Sequence, residues 1–311
     1  MRGETTKLPG TDANSLLLRR HLTFLVLVLA TGLAFWNPLA RLITFSLTYD
    51  YGSHILFIAP VSLYLVYMKR EELFATVRSD LLAGSVLFLA GAVLWWLADS
   101  PSLQSASLSV VVLALVILWM SGFMFCYGMD AFRKAAFPLF LLLLLVPIPE
   151  FLVDRIIYLL QAGSAGVAYG LLRLLHVPVF KQGFILQLPT LSIEVAKECS
   201  GIRSSLGLLI TTLLVGEFSL RTSWRRLLFT LSTVPILILK NGARIVTISV
   251  LSIYVDRGFL HGWLHTSGGI VFYALGLALL IPILTALRKS EAKIPLPPAL
   301  SSADVVTASQ R

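Results

Sequence analysis

Charge is what this 311-residue chain has least of. Asp, Glu, Lys and Arg make up 13% of it, against 57% hydrophobic residues, where an ordinary soluble domain carries about 25% charged residues. That deficit excludes a soluble globular enzyme, a disordered chain and a coiled coil. Cysteine is scarce as well, and two residues cannot build a disulfide framework. No small-residue cleavage site follows the first apolar run, so the run reads as a retained span and not a cleaved signal. Internal repeats are lacking.

What the chain has in quantity is long apolar sequence, which needs lipid as its solvent. The composition therefore predicts an all-α polytopic membrane protein. The formal charge of +9 does not point to nucleic acid, because the Lys and Arg are spread over five segments instead of forming one patch. In a membrane protein such an excess belongs to cytoplasmic loops.

A spanning helix needs about 20 mostly apolar residues. Eight spans are expected, at 20–36, 52–68, 81–98, 105–126, 133–148, 199–216, 226–246 and 266–287. The region 149–197 is ambiguous. Its first part, Phe151 to Leu175, is apolar but interrupted by Asp154, Arg155, Gly163, Gly166 and Arg173, and reads as an amphipathic or re-entrant helix pair. Its second part, Phe180 to Ala196, alternates apolar residues around Gly183 and Pro189, which predicts a short hairpin at the membrane surface. Eight spans put both termini on one side. With the N-terminus cytoplasmic, 16 of the 25 Lys and Arg fall inside, as the positive-inside rule requires. A full span at 151–175 would break that fit. Residues 1–19 then form a cytoplasmic segment, 20–287 the membrane-embedded domain, and 288–311 a Pro-, Ser- and Ala-rich disordered cytoplasmic tail.

Ionisable residues inside a membrane are costly and are functional candidates for that reason. Three clusters carry them: "VAKECSGIRSS" at 195–205, "LKNGARIVT" at 239–247 and "GFLHGWLHTSGGIVF" at 258–272. The expected topology puts each at the outer end of one of the last three spans, at one depth and on one face. Cys199 heads the sixth span, where helix N–H groups and the dipole stabilise a thiolate. Arg203 follows at i+4, on the same helical face. The bland alternative is a cysteine acting as a small hydrophobe; it suits Cys126, whose neighbours "GFMFCYG" carry no charge.

Arg244 offers five fixed donors, suited to stabilising an oxyanion or clamping a carboxylate, and Asn241 stands three residues ahead to orient it. The alternative is an interfacial anchor, the role read for Lys240. His265 begins the eighth span with His261 one turn earlier, and an imidazole serves as general acid or base. Facing headgroups is the alternative for both. A metal pair at i, i+4 lacks an adjoining Glu and a third ligand, so neither a metal nor a cofactor is expected. A thiol, an imidazole and a guanidinium on three consecutive helices are the parts of nucleophilic acyl transfer.

With these residues in order, the sequence resembles the exosortase/archaeosortase family. The likeness rests on "ECSGIRSS" with Cys199, "NGAR" ending at Arg244, and "HTSGGIVF" beginning at His265, where Gly269 fits the family's glycine. It extends more weakly to "YDYGSHILFIAPVSLYLVY" and covers about residues 35–287. The resemblance implies a multi-pass cysteine transpeptidase or protease of the bacterial inner membrane, its site facing outward. Its substrates would be membrane-anchored proteins with a C-terminal sorting signal: a short motif (often Pro-Glu-Pro), a transmembrane helix and a basic tail. An envelope polysaccharide or lipid is a possible acceptor class. Carried over by motif, Cys199 is the nucleophile, Arg244 the stabiliser and His265 the proton carrier; Arg203 matches a recurrent family arginine with no assigned role, and Asn241 and His261 are supporting candidates by their spacing alone. Two readings compete. A transporter would use Arg244, Glu198 and the broken 151–175 region as a pathway. A non-catalytic subunit of an envelope polysaccharide export system would form no covalent intermediate.

Overall fold

The computed structural model describes residues 10–75, 77–98, 100–195, 202–260 and 269–292. Within these, five helices are long and apolar enough to cross a membrane: Ser15–Ala34, Ser107–Lys134, Glu150–Leu174, Ser223–Tyr254 and Gly269–Ala292. Four apolar helices are shorter: Ile55–Met68, Leu81–Leu97, Ala136–Leu145 and Ser204–Ser219. Each of the eight expected spans falls on one of these nine, and the chain is a multi-pass, all-α membrane protein. Leu82, Trp96, Leu33 and Ile270 are among the many large apolar side chains left facing outward, as helices solvated by lipid require.

The contacts divide the chain into two units, Met1–Ile156 and Ile157–Arg311. In the first, α1 (Gly10–Ala34) packs on α6 (Ser107–Lys134). The seam holds Phe24, Phe123 and Tyr127, with His21 Nδ1 at 2.8 Å from Tyr127 Oη. Cys126 is buried there, and its carbonyl accepts from Arg20 Nη1 at 2.9 Å. Helix α2 (Trp36–Thr48) was not expected. It precedes α3 (Ile55–Met68) and α4 (Arg70–Leu73). Asp80 caps α5 (Leu81–Leu97) by accepting from Ala83 N at 3.1 Å. The short α7 (Ala136–Leu141) lies against α3, where Ser62 Oγ donates to Pro138 O at 2.7 Å.

Two expectations need correction. The region read as a helix pair is one unbroken helix, α8 (Glu150–Leu174). Gly163 is a packing position instead of a break: a Cβ there would touch the Ile238 side chain at 3.0 Å. Because α8 is long enough to span, an even number of spans no longer follows. The second correction concerns the seventh span. Its sequence divides at Ser232 into a short amphipathic α10 (Ser223–Leu231) and a long α11 (Thr233–Tyr254). Arg244 is therefore an interior residue of α11, ten positions from its last residue, and not an end residue.

The surface hairpin forms, with a third strand added. Helix α8 ends on His176 at φ +58°, and Val177 N returns to Leu172 O at 3.0 Å, which closes the helix end by the left-handed route. Strands β1 (Phe180–Gln182), β2 (Ile185–Gln187) and β3 (Ser192–Glu194) follow, antiparallel in the order β1-β2-β3. Gln182 pairs with Ile185, leaving a two-residue turn. Gly183 takes its first position at φ +60°, where a type II′ turn demands glycine. The sheet buries Leu186, Leu188 and Val195 against Ala165, Ala168 and Leu172 of α8 and Ile245 and Val246 of α11.

Candidate functional site

In the second unit α9 (Ile202–Ser219), α11 and α12 (Gly269–Ala292) pack together. Thr212 meets Thr233 at 3.1 Å near one end, and Ser204 meets Lys240 toward the other, so α9 and α11 run antiparallel. Glu291 of α12 accepts from Arg221 N and Thr222 N just past the end of α9, and Thr211 Oγ1 lies 2.8 Å from Tyr273 Oη; α12 therefore runs parallel to α9. The starts of α9 and α12 lie at the same end of the bundle. Helix α8 runs parallel to α11, with Gly163 against Ile238 and Gly242 against Val167. The sheet covers the C-terminal halves of these two helices, so it stands at that same end.

This arrangement brings together what flanks the three sequence clusters. Val195 leaves the sheet held twice: its N–H donates to Phe184 O at 3.0 Å and its carbonyl accepts from Gln161 Nε2 at 2.7 Å. Seven residues later Ile202 opens α9. Cys199 belongs to that stretch, and His261 and His265 to the stretch before α12; all three lie outside the described residues. Arg203 lies in the first turn of α9, its side chain outside the description.

Arg244 is half-buried on α11, next to the sheet-packing pair Ile245 and Val246. Its neighbours in the NGAR segment have distinct duties. Gly242 lets α8 approach: a Cβ there would lie 2.4 Å from Val167 Cγ1 and 3.3 Å from Ala168 N. Asn241 is 1% exposed, with its carboxamide oxygen 3.5 Å from Lys240 Nζ. Among the described residues no group of three or more His, Cys, Asp or Glu side chains is placed to hold a metal ion.

The residue that sequence reasoning missed is Lys240. It is no interfacial anchor: it is 1% exposed, and its Nζ donates to Ser204 Oγ at 2.7 Å. Its stem passes Gly276 of α12, whose added Cβ would meet Lys240 Cδ at 3.3 Å and Leu208 Cδ2 at 3.1 Å. The misreading followed from the span boundary. A span ending at 246 leaves Lys240 near an interface; a helix running to Tyr254 leaves it deep inside. Ser232 and Thr233, at the junction of α10 and α11, carried the signal that would have moved the boundary.

The opposite end of the bundle is basic. Arg221, Arg225 and Arg226 cluster there with Arg288 and Lys289 of α12. Arg225 pairs with Glu291 at 3.6 Å, and Arg226 pairs with Glu217.

A family model described as transmembrane exosortase matches residues 46–282. No curated protein and no solved structure matches the chain.

Proposed function

The chain belongs to the transmembrane exosortase family, a group of peptidase-like membrane enzymes, and from that premise we propose that it is a cysteine transpeptidase acting on membrane-anchored proteins that carry a C-terminal sorting signal. Cys199 is the nucleophile in this reading. Its thiolate attacks the scissile carbonyl, and Arg244 stabilises the oxyanion that develops. His265 gives a proton to the leaving amine as the C–N bond breaks, which leaves a thioacyl enzyme. An acceptor nucleophile, deprotonated by His265, then attacks the thioester and releases Cys199. Acceptor attack in place of hydrolysis needs a site that keeps water out. The acceptor class that fits an envelope enzyme is a polysaccharide or lipid.

The observation that carries the reading is the convergence at one end of the second unit. The anchored Val195, the starts of α9 and α12, and the half of α11 that carries the half-buried Arg244 all lie toward that end. The substrate's extended motif has a template at hand, since β1 and β3 are edge strands and β3 ends five residues before Cys199 in the chain; main-chain pairing to such an edge is a common mode of peptide capture.

Sidedness follows from charge in this unit alone, without a count of spans. The cluster of Arg221, Arg225, Arg226, Arg288 and Lys289 supports a cytoplasmic position for that end, and in this reading the site faces outward from the inner membrane. An impermeant thiol reagent applied to intact spheroplasts should label Lys181→Cys in a Cys126→Ala/Cys199→Ala background. Labelling only after lysis would reverse the orientation.

The function is tested by following a tagged protein with a C-terminal signal in cells carrying wild type, Cys199→Ala or Cys126→Ala at matched membrane levels. The expected result is full-length precursor with Cys199→Ala and normal processing with Cys126→Ala. Normal processing by Cys199→Ala would remove the nucleophile and move the transporter and export-subunit readings ahead.

A further inference from the structure

We propose that Lys240 is a positioning residue of the cysteine site, tying the first turn of α9 to the helix that carries Arg244. This rests on the cysteine reading above.

A cation at this place is unfavourable for the fold. Lys240 is 1% exposed, and among the described residues no carboxylate pairs with it; its polar contacts are the Ser204 hydroxyl and the Asn241 carboxamide. A buried charge without a counter-ion is costly in protein and in lipid. Arg244 follows at i+4, the spacing at which like charges on a helix destabilise each other. An apolar side chain of similar length would fill the gap between Leu208 and Gly276 without these penalties. Replacing buried charges by well-packed apolar residues is often neutral or stabilising. Stability alone therefore does not account for the lysine.

Its geometry supplies an account. Ser204 lies five residues after Cys199, in the first turn of α9, and Lys240 lies one turn before Arg244 on α11. The 2.7 Å bond from Nζ to Ser204 Oγ thus links the helix that follows the nucleophile to the helix that carries the oxyanion stabiliser. The stem is wedged against α12 at Gly276, the helix that His265 precedes. One side chain reaches all three site-bearing helices. Two groups on different helices must keep their spacing to a fraction of an ångström for catalysis, and this bond is placed to set it.

The test is purified enzyme in detergent or nanodiscs, with a peptide carrying the sorting motif and a transmembrane helix. Lys240→Met, Ser204→Ala, the double variant and Cys199→Ala are compared with wild type. The expected result for Lys240→Met is a fall in kcat of at least about tenfold with KM within about twofold, and a melting temperature equal to or above that of wild type. A purely structural lysine would lower the melting temperature and leave kcat per folded enzyme unchanged. The double variant should be no slower than Lys240→Met, because both changes break the same link. Lys240→Met within twofold of wild type in kcat, or multiplicative losses in the double variant, would overturn the proposal. Where Lys240→Met fails to accumulate, Ser204→Ala carries the decision by the same kcat criterion. The two readings fail separately: an inactive Cys199→Ala beside a fully active Lys240→Met removes only the positioning role, whereas an active Cys199→Ala removes the cysteine site and this role with it.

Discussion

The two ends of the α9–α11–α12 bundle handle positive charge in opposite ways. At the basic end, Arg225 and Arg226 meet Glu291 and Glu217 at the edge of the bundle, and backbone N–H groups of Arg221 and Thr222 share Glu291. Toward the sheet, Lys240 is buried on a hydroxyl and an amide, with Arg244 one turn away. The first arrangement is inexpensive: each of these partly buried cations has a carboxylate partner, and basic residues at a membrane edge set orientation. The second is expensive and serves no purpose in a bundle that only has to stay folded. Where a membrane protein tolerates the costlier arrangement, its chemistry is the place to look.

That contrast is open to direct attack. The largest expected effect is at Arg244. Arg244→Ala should slow processing by about 10²–10³-fold, the usual loss when an oxyanion donor is removed, at unchanged membrane level, read from the rate of precursor conversion. A loss below fivefold would make Arg244 as dispensable as the cations of the basic end. Gly242→Val comes next. Its Cβ would overlap Val167 at 2.4 Å and force α8 from α11, a strain of about 1–3 kcal/mol, visible as a lower melting temperature in detergent. A tolerated valine would mean that α8 and α11 do not need their close seam. Gln161→Leu should follow at about 1–3 kcal/mol, because it strips the donor from the buried Val195 carbonyl, and it should slow processing through the anchor of the 196–201 stretch. The smallest effect belongs to the basic end. Arg225→Ala should shift stability by less than about 1 kcal/mol and leave processing unchanged. A large loss of activity there would erase the difference between the two ends.

Much of this is legible in the sequence. Apolar runs place helices well when both ends are marked by charge or turn residues, as at 81–98 against Leu81–Leu97. Gly183 and the alternation around it gave the hairpin. The failures share one cause, which is that packing partners are invisible in a linear pattern. Gly163 looked like an interruption because nothing in the sequence says that Ile238 lies against it. The 226–246 run was bounded too early because α11 continues eight residues past it, to Tyr254. From that misplaced boundary came the reading of Lys240 as an anchor and of Arg244 as an end residue. The NGAR segment was found as a motif, but Gly242's duty toward α8 required three dimensions. The sites at Cys199, His261 and His265 rest on the sequence and the family alone.

The composition of α11 has a consequence for how the protein is made. An isolated Lys or Arg at the centre of a helix raises its insertion free energy by about 2.5–3.5 kcal/mol, while each Leu, Ile or Val lowers it by about 0.3–0.6 kcal/mol. With Lys240 and Arg244 set among eleven Ile, Leu and Val residues between Thr233 and Tyr254, the two contributions come close to cancelling. Alone, α11 is a helix that the translocon would release into lipid with little preference. Ser204 is on α9, which precedes α11 in the chain, and its hydroxyl accepts from the lysine in the folded bundle. Assembly of the second unit is thus cooperative: α11 is retained in the bilayer by the helices around it as much as by its own hydrophobicity.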